Sequence, residues 1–104
     1  MQILETSGAV MNGHFRLTSG LHSTRYVEKF RLLQHPQYTA QLCGLIANHY
    51  REANIQVVAG PALGGVILAY EVARLVGVRS IYAEKEDAGM VFRRGLKLNP
   101  GERV

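Results

Sequence analysis

Three basic residues and one glycine-rich turn are the parts of this sequence best equipped for chemistry. Lys85, Arg93 and Arg94 flank a stretch near residue 90, and Ala62-Leu63-Gly64-Gly65 separates two apolar runs. Ammonium and guanidinium groups stabilise phosphate and pyrophosphate charge, most strongly where water is excluded. Carried on a segment that closes over a site, they would reach the ligand only after it binds. Gly64 and Gly65 have no Cβ, so the backbone there allows close approach. A helix starting just after them would aim free N–H groups and its positive dipole end at the ligand. The shared chemistry is capture of a small anion, phosphate first. A plainer reading stands beside each feature: a βα turn whose glycines serve tight packing, and a solvated charged hairpin. The turn is neither G-x-G-x-x-G nor G-x-x-x-x-G-K-S/T, so the two common nucleotide-binding motifs are absent.

Other chemistries find less support. His14, His22, His35 and His49 have no tight ligand spacing with one another, with Cys43 or with a helical Glu, so no zinc site is expected and no residue is assigned to a metal. No G-x-S-x-G elbow occurs. Thr18-Ser19-Gly20 is a polar turn whose backbone N–H groups suit a carboxylate or phosphate, or which simply breaks a strand. Cys43 is the single cysteine, which excludes a disulfide framework, suits a reducing compartment and reads as a buried helix thiol.

These residues need elements to hold them. Residues 57–59 are a short apolar run ended by Gly60-Pro61, and residues 66–76 are apolar except for Glu71 and Arg74. This predicts a buried parallel strand ending at Gly60, because Pro61 cannot donate to a central strand, then a turn and a buried helix capped by Gly77. Residues 79–83 read as a second core strand, so the order helix, strand, helix, strand implies a parallel crossover. Upstream, His35-Pro36 opens a helix to about residue 52, with Tyr38, Leu42, Leu45, Ile46, His49 and Tyr50 on its inward stripe and Gln37, Gln41 and Arg51 outward. Residues 1–9 suggest a short helix, Asn12-Gly13 a turn, and residues 14–17 and 25–30 two strands of an antiparallel flap. Residues 84–89 read as a charged loop and 90–98 as an irregular arm. Residues 99–102 form a turn, and Arg103-Val104 looks like entry to a further strand, which makes the domain incomplete at its C-terminal end and predicts an open sheet edge prone to self-association.

A chain of 104 residues suits one domain, and 47% apolar with 19% charged residues argues for a globular chain. The net charge of +4 favours acidic ligands but is too small and dispersed to indicate nucleic acid. No signal peptide is visible in MQILETSG, and no apolar run reaches the ~18 residues of a membrane span.

Taken together, HFRLTSGLHSTRYVEKF, VVAGPALGGVILAYEVAR and IYAEKEDAGMVFRRGLKLNPGERV, in this order, resemble the bacterial orotate phosphoribosyltransferase family over residues 5–104. The resemblance implies a type I phosphoribosyltransferase fold: an α/β parallel sheet flanked by helices, with a small N-terminal hood. Residues 1–104 would be the N-terminal portion of a single domain, with the hood at 1–35 and the first part of the core, with a flexible arm at 84–98, in 36–104. It implies transfer of a phosphoribosyl group from phosphoribosyl pyrophosphate to orotate, giving orotidine 5′-monophosphate and pyrophosphate in pyrimidine nucleotide synthesis. It also implies Mg²⁺, a cytoplasmic homodimer with shared active sites, and neither nucleic-acid nor membrane partners. Carried over, Thr18, Ser19, Gly20 and Tyr26 would lie on the orotate side. Ala62, Leu63, Gly64 and Gly65 would form the pyrophosphate loop. Lys85 would be the catalytic cation reaching across the dimer, with Arg93 and Arg94 at the end of its arm.

The sequence departs from some members, which carry lysine at the positions of Thr18 and Gly64 and an arginine-lysine pair in place of Glu84-Lys85. The family's apolar strand, paired acidic residues and Thr/Gly-rich turn for the ribose 5-phosphate are not among these 104 residues. The chain alone is therefore expected to be inactive. The alternative function is a non-catalytic nucleotide- or phosphoribosyl-sensing module on the same fold.

Overall fold

A computed structural model describes residues 6–16 and 22–104. They fall into two compact units, residues 1–39 and 40–104.

In the first unit, β1 (Val10–Arg16) and β2 (His22–Val27) pair antiparallel. Asn12 faces Arg25 and Phe15 faces Ser23, so β1 advances three residues while β2 advances two. The extra residue is a bulge, and Asn12-Gly13, expected to be a turn, lies inside β1 at that point. The strand expected to reach Phe30 ends at Val27. Glu28 diverts it by accepting a hydrogen bond from the Phe30 N–H at 3.3 Å, which caps the short helix α1 (Lys29–Leu33). Leu32, Leu33 and Ala9 are buried, and the Glu28 N–H donates to the Ala9 carbonyl. Most of the helix expected over residues 1–9 lies outside the described residues.

Helix α2 (Pro36–Tyr50) opens on proline at a position that needs no intrahelical donor, as the sequence predicts. Its buried residues are Thr39, Cys43 and Ala47, spaced four apart; Leu45, Ile46, His49 and Tyr50, expected inward, are exposed. The expectation followed side-chain size. The helix instead turns small residues inward, and Cys43 Sγ lies 3.8 Å from the Leu68 carbonyl on the next helix. Burial pushes the Cys43 thiol up to about 11, with the Glu71 carboxylate adding to the shift, so it stays protonated as an inert packing group. Thr39 offsets its own burial by donating to the Leu33 and His35 carbonyls.

The core of the second unit is a three-stranded sheet in the order β3 (Val57–Pro61), β4 (Arg79–Glu86), β5 (Gly89–Phe92). β3 and β4 are parallel, in register from Val57 opposite Arg79 to Pro61 opposite Ala83, and α3 (Gly64–Val76) connects them. Gly77 closes α3 in a left-handed conformation, φ 89°, with its N–H on the Ala73 carbonyl at 2.7 Å. Val57 and Ile81 are fully buried, and Ala69, Val72 and Ala73 supply the buried stripe of α3.

Two sequence expectations change here. β3 extends one residue further, to Pro61. The Val57 N–H points away from β4, to the Arg103 carbonyl, and the Ala62 N–H points to Ala83 on β4. By alternation Pro61 faces outward like Val57, so its missing N–H removes nothing from the β3–β4 ladder. Residues 84–86, read as loop, are strand: β4 runs through Glu86, turns at Asp87-Ala88 and returns as β5, with Ala83 opposite Phe92 and Glu86 opposite Gly89.

Arg79 fastens the residues that follow the arm. Arg79 donates to both carboxylate oxygens of Glu102, at 3.1 and 2.6 Å, and to the Lys97 carbonyl at 2.8 Å. Glu102 also accepts from the Asn99 N–H, and these donors hold its carboxyl below the usual range. Arg103 is thereby laid beside β3, where its carbonyl accepts from the Gln56 and Val57 N–H groups.

Candidate functional site

The parallel pair β3–β4 brings two of the predicted features to one end of the sheet. The turn at 62–65 leaves the C-terminal end of β3, and its first residue is pinned to β4 by the Ala62 N–H to Ala83 carbonyl bond of 2.8 Å. Lys85 follows two residues after that anchor, on β4. Ligands of open α/β sheets gather at this carboxyl end of the strands.

The turn is set by contact at backbone distance. A Cβ on Gly60 would collide with the Gly65 carbonyl and come within 2.9 Å of the Ala69 Cβ, and a Cβ on Gly65 would meet Pro61 Cδ at 2.5 Å. The N-terminus of α3 therefore lies directly against the end of β3. Both glycines are required by packing, whether or not a ligand binds, so the packing reading of the turn holds for Gly65. Gly64 is buried, whereas Ala62 and Leu63 are exposed. The Ala62–Leu63 peptide is cis. Leu63 precedes α3 without a capping side chain, so the first turn of the helix presents its N–H groups uncapped by any side chain. This backbone suits an anion.

The cations are arranged differently. Lys85 is exposed and stands opposite Met90 in the hairpin. Strand alternation sends it to the face opposite Glu84 and Glu86. Those two carboxylates hold the arginines: Arg93 pairs with Glu86 at 2.7 Å and Arg94 with Glu84 at 3.3 Å. Bonding to Glu84 raises the Arg94 pKa further. The structure thus sets Lys85 apart from Arg93 and Arg94. Residues 84–94 carry Glu84, Glu86 and Asp87 against Lys85, Arg93 and Arg94, and are locally neutral. The counter-ions Glu84 and Glu86 were missed in the sequence. Their signal was the alternation Glu-Lys-Glu before a two-residue turn, which puts both acids on one face.

The remaining site predictions are reached in part. Thr18, Ser19 and Gly20 lie outside the described residues, and Tyr26 is placed only by its backbone, opposite Met11 in the β1–β2 pair. Among the described residues no group of three His, Cys, Asp or Glu is placed to hold a metal ion, and no helix is long and apolar enough to cross a membrane.

No family model matches the chain. It is 50% identical over 104 residues to the orotate phosphoribosyltransferase of Desulforamulus reducens, covering 100% of this chain and 54% of that protein. The chain spans about half the length of the curated relatives it matches. Among solved structures, the orotate phosphoribosyltransferase of Aeropyrum pernix superposes with a TM-score of 0.69 at 28% identity, over 92% of this chain and 53% of that one. The UMP synthase of Leishmania donovani superposes with a TM-score of 0.77 at 25% identity, over 88% of this chain and 21% of that one.

Proposed function

We propose that the chain belongs to the orotate phosphoribosyltransferase family, which it resembles in sequence and fold, and that it serves the transfer of a phosphoribosyl group from phosphoribosyl pyrophosphate to orotate, yielding orotidine 5′-monophosphate and pyrophosphate. The observation that carries this reading is the 50% identity maintained over all 104 residues. The place of the reaction is pyrimidine nucleotide synthesis, in the cytoplasm, and the working form is a homodimer whose subunits share active sites.

In this reading the turn at 62–65 receives the departing pyrophosphate. As the glycosidic carbon loses its bond, negative charge grows on the leaving group and positive charge on the ribose. The uncapped N–H groups of α3 need no reorganisation to meet that charge. Lys85, exposed at the same sheet end, contacts pyrophosphate oxygens as the catalytic cation. Arg93 and Arg94 exchange Glu86 and Glu84 for phosphate oxygens. Thr18, Ser19, Gly20 and Tyr26 take the orotate side. In this reading the magnesium arrives with the diphosphate as part of the substrate.

Calorimetric titration of pyrophosphate into the chain tests the reading. Binding is expected, and Lys85→Ala should weaken it about tenfold, the scale of one charge-assisted hydrogen bond. Absence of binding would remove the pyrophosphate role of the turn. Orotate absorbance, followed with phosphoribosyl pyrophosphate and Mg²⁺, should not change with these 104 residues alone, since they include no 5-phosphate turn to position the ribose. Turnover by the chain alone would show that the residues described here suffice.

A further inference from the structure

The Arg93 carbonyl accepts from the Leu96 N–H at 3.0 Å, and both residues between them are left-handed, Arg94 at φ 59° and Gly95 at φ 78°. This is the pattern of a type I′ turn, whose two central positions belong by preference to Asn, Asp and Gly. Gly95 suits the second position. Arg94 does not suit the first. The other left-handed non-glycine residues described are Asn54 and Asp87, types whose short polar side chains tolerate that backbone. A long side chain persists there only when its surroundings hold it.

Both ends of the turn are held. Upstream, Phe92 closes the β5 ladder opposite Ala83. Downstream, Arg79 grips the Lys97 carbonyl at 2.8 Å with the guanidinium that also binds Glu102. The backbone of the turn is thus fixed, while the exposed side chains above it are free to change partners.

The left-handed backbone also decides where the guanidinium groups go. Strand alternation puts Arg93 on the face of Glu84 and Glu86, and would send Arg94 to the other face with Lys85 and Phe92. The turn brings Arg94 back. Arg93 then reaches Glu86 at 2.7 Å and Arg94 reaches Glu84 at 3.3 Å. Two neighbouring guanidinium groups stand on one face, each on its own carboxylate. That arrangement suits a ligand with two linked anionic groups better than a ligand with one.

Resting on the reading that this arm meets pyrophosphate, we propose that the turn at 93–96 is a diphosphate clamp that selects pyrophosphate over orthophosphate. Arg93 and Arg94 each take one phosphoryl group in place of Glu86 and Glu84, and Arg79 is the positioning residue that holds the turn. The strained position carries arginine because its side chain is needed there, where Asn would relax the backbone.

Calorimetric titration of the chain with pyrophosphate and, separately, with orthophosphate tests the clamp. The unsubstituted chain should prefer pyrophosphate. Arg94→Asn should leave the urea unfolding midpoint equal or higher, yet weaken pyrophosphate about tenfold, the scale of one charge-assisted hydrogen bond, with little change for orthophosphate. Opposite signs in stability and binding are what a merely structural arginine does not give. Arg79→Gln should speed hydrogen exchange of the Leu96 amide in the absence of any ligand and erode the preference for pyrophosphate. Arg79→Lys, which can still donate to the Lys97 carbonyl, should restore both. An Arg94→Asn chain that binds pyrophosphate as before, or that loses stability and both anions together, would overturn the clamp. A Leu96 amide unmoved by Arg79→Gln would overturn the positioning role. Pyrophosphate bound no better than orthophosphate by the unsubstituted chain sinks the clamp alone, whereas no pyrophosphate binding at all removes the pyrophosphate reading as well.

Discussion

The turn at 62–65 and the arm at 84–94 meet the same anion in the proposed reaction, and they are built in opposite ways. The turn is all backbone: Gly60, Pro61 and Gly65 lie within contact distance, and no charged side chain belongs to it. The arm is all side chain: its cations are exposed, and the two arginines rest on Glu84 and Glu86. A site made of packed backbone has no slack, so substitutions there register as stability. A site made of solvated ion pairs is soft, so changes there register as affinity and salt dependence. Joining them gives a rigid floor and an adjustable cover.

The contrast is broken most forcefully at Gly60. Gly60→Val places a side chain into the Gly65 carbonyl, and overpacking of this kind costs about 3 kcal/mol. The midpoint of urea unfolding should fall accordingly, and an unchanged midpoint would show that the turn has the slack denied to it here.

The Arg79–Glu102 clip is an intermediate case, a side-chain contact that fixes backbone. The Glu102 carboxyl is held below its usual value of 4.5, chiefly by Arg79 and then by the Asn99 N–H. Its folded pKa is thus lower than its unfolded one. The stabilisation is complete above the unfolded pKa and is lost as pH falls through the lowered folded value. Glu102→Gln should lower the urea midpoint at pH 7, and the gap to the unsubstituted chain should close in acid. A gap independent of pH would assign the effect to shape and not to charge.

The smallest effect belongs to the arm. Glu84→Gln combined with Glu86→Gln releases Arg93 and Arg94 and should tighten pyrophosphate binding about three-fold at low salt, with melting temperature unmoved. Weaker binding would mean that the carboxylates orient the guanidinium groups and do not compete for them.

The same division explains what could be read from the sequence. The β3–α3–β4 unit was legible because its punctuation is local: Gly60-Pro61 before the turn and Gly77 after the helix each act through their own backbone. The inward face of α2 was misread because Thr39, Cys43 and Ala47 are small, and periodicity weighted by size selects Leu45, Ile46 and Tyr50. Strand 84–86 was missed because its charges resemble a loop until β5 pairs with it. The pairing of Arg94 with Glu84 depends on hairpin register, which composition does not contain. For the candidate site, the sequence singled out Lys85 and the turn, but it put Lys85 on a loop and not on β4, and it did not reveal that Gly65 is demanded by Pro61.

Pro61 has one more consequence. A sheet edge becomes a template for fibrils when it offers an unbroken row of donors, one at every second residue, onto which identical strands stack without end. On the outer edge of β3 the Val57 donor is occupied by Arg103, Ala59 is open, and Pro61 has none. The row is one donor long. A row this short does not propagate a ladder along the outer edge of β3, because the residue that ends this strand next to the turn has no donor to offer.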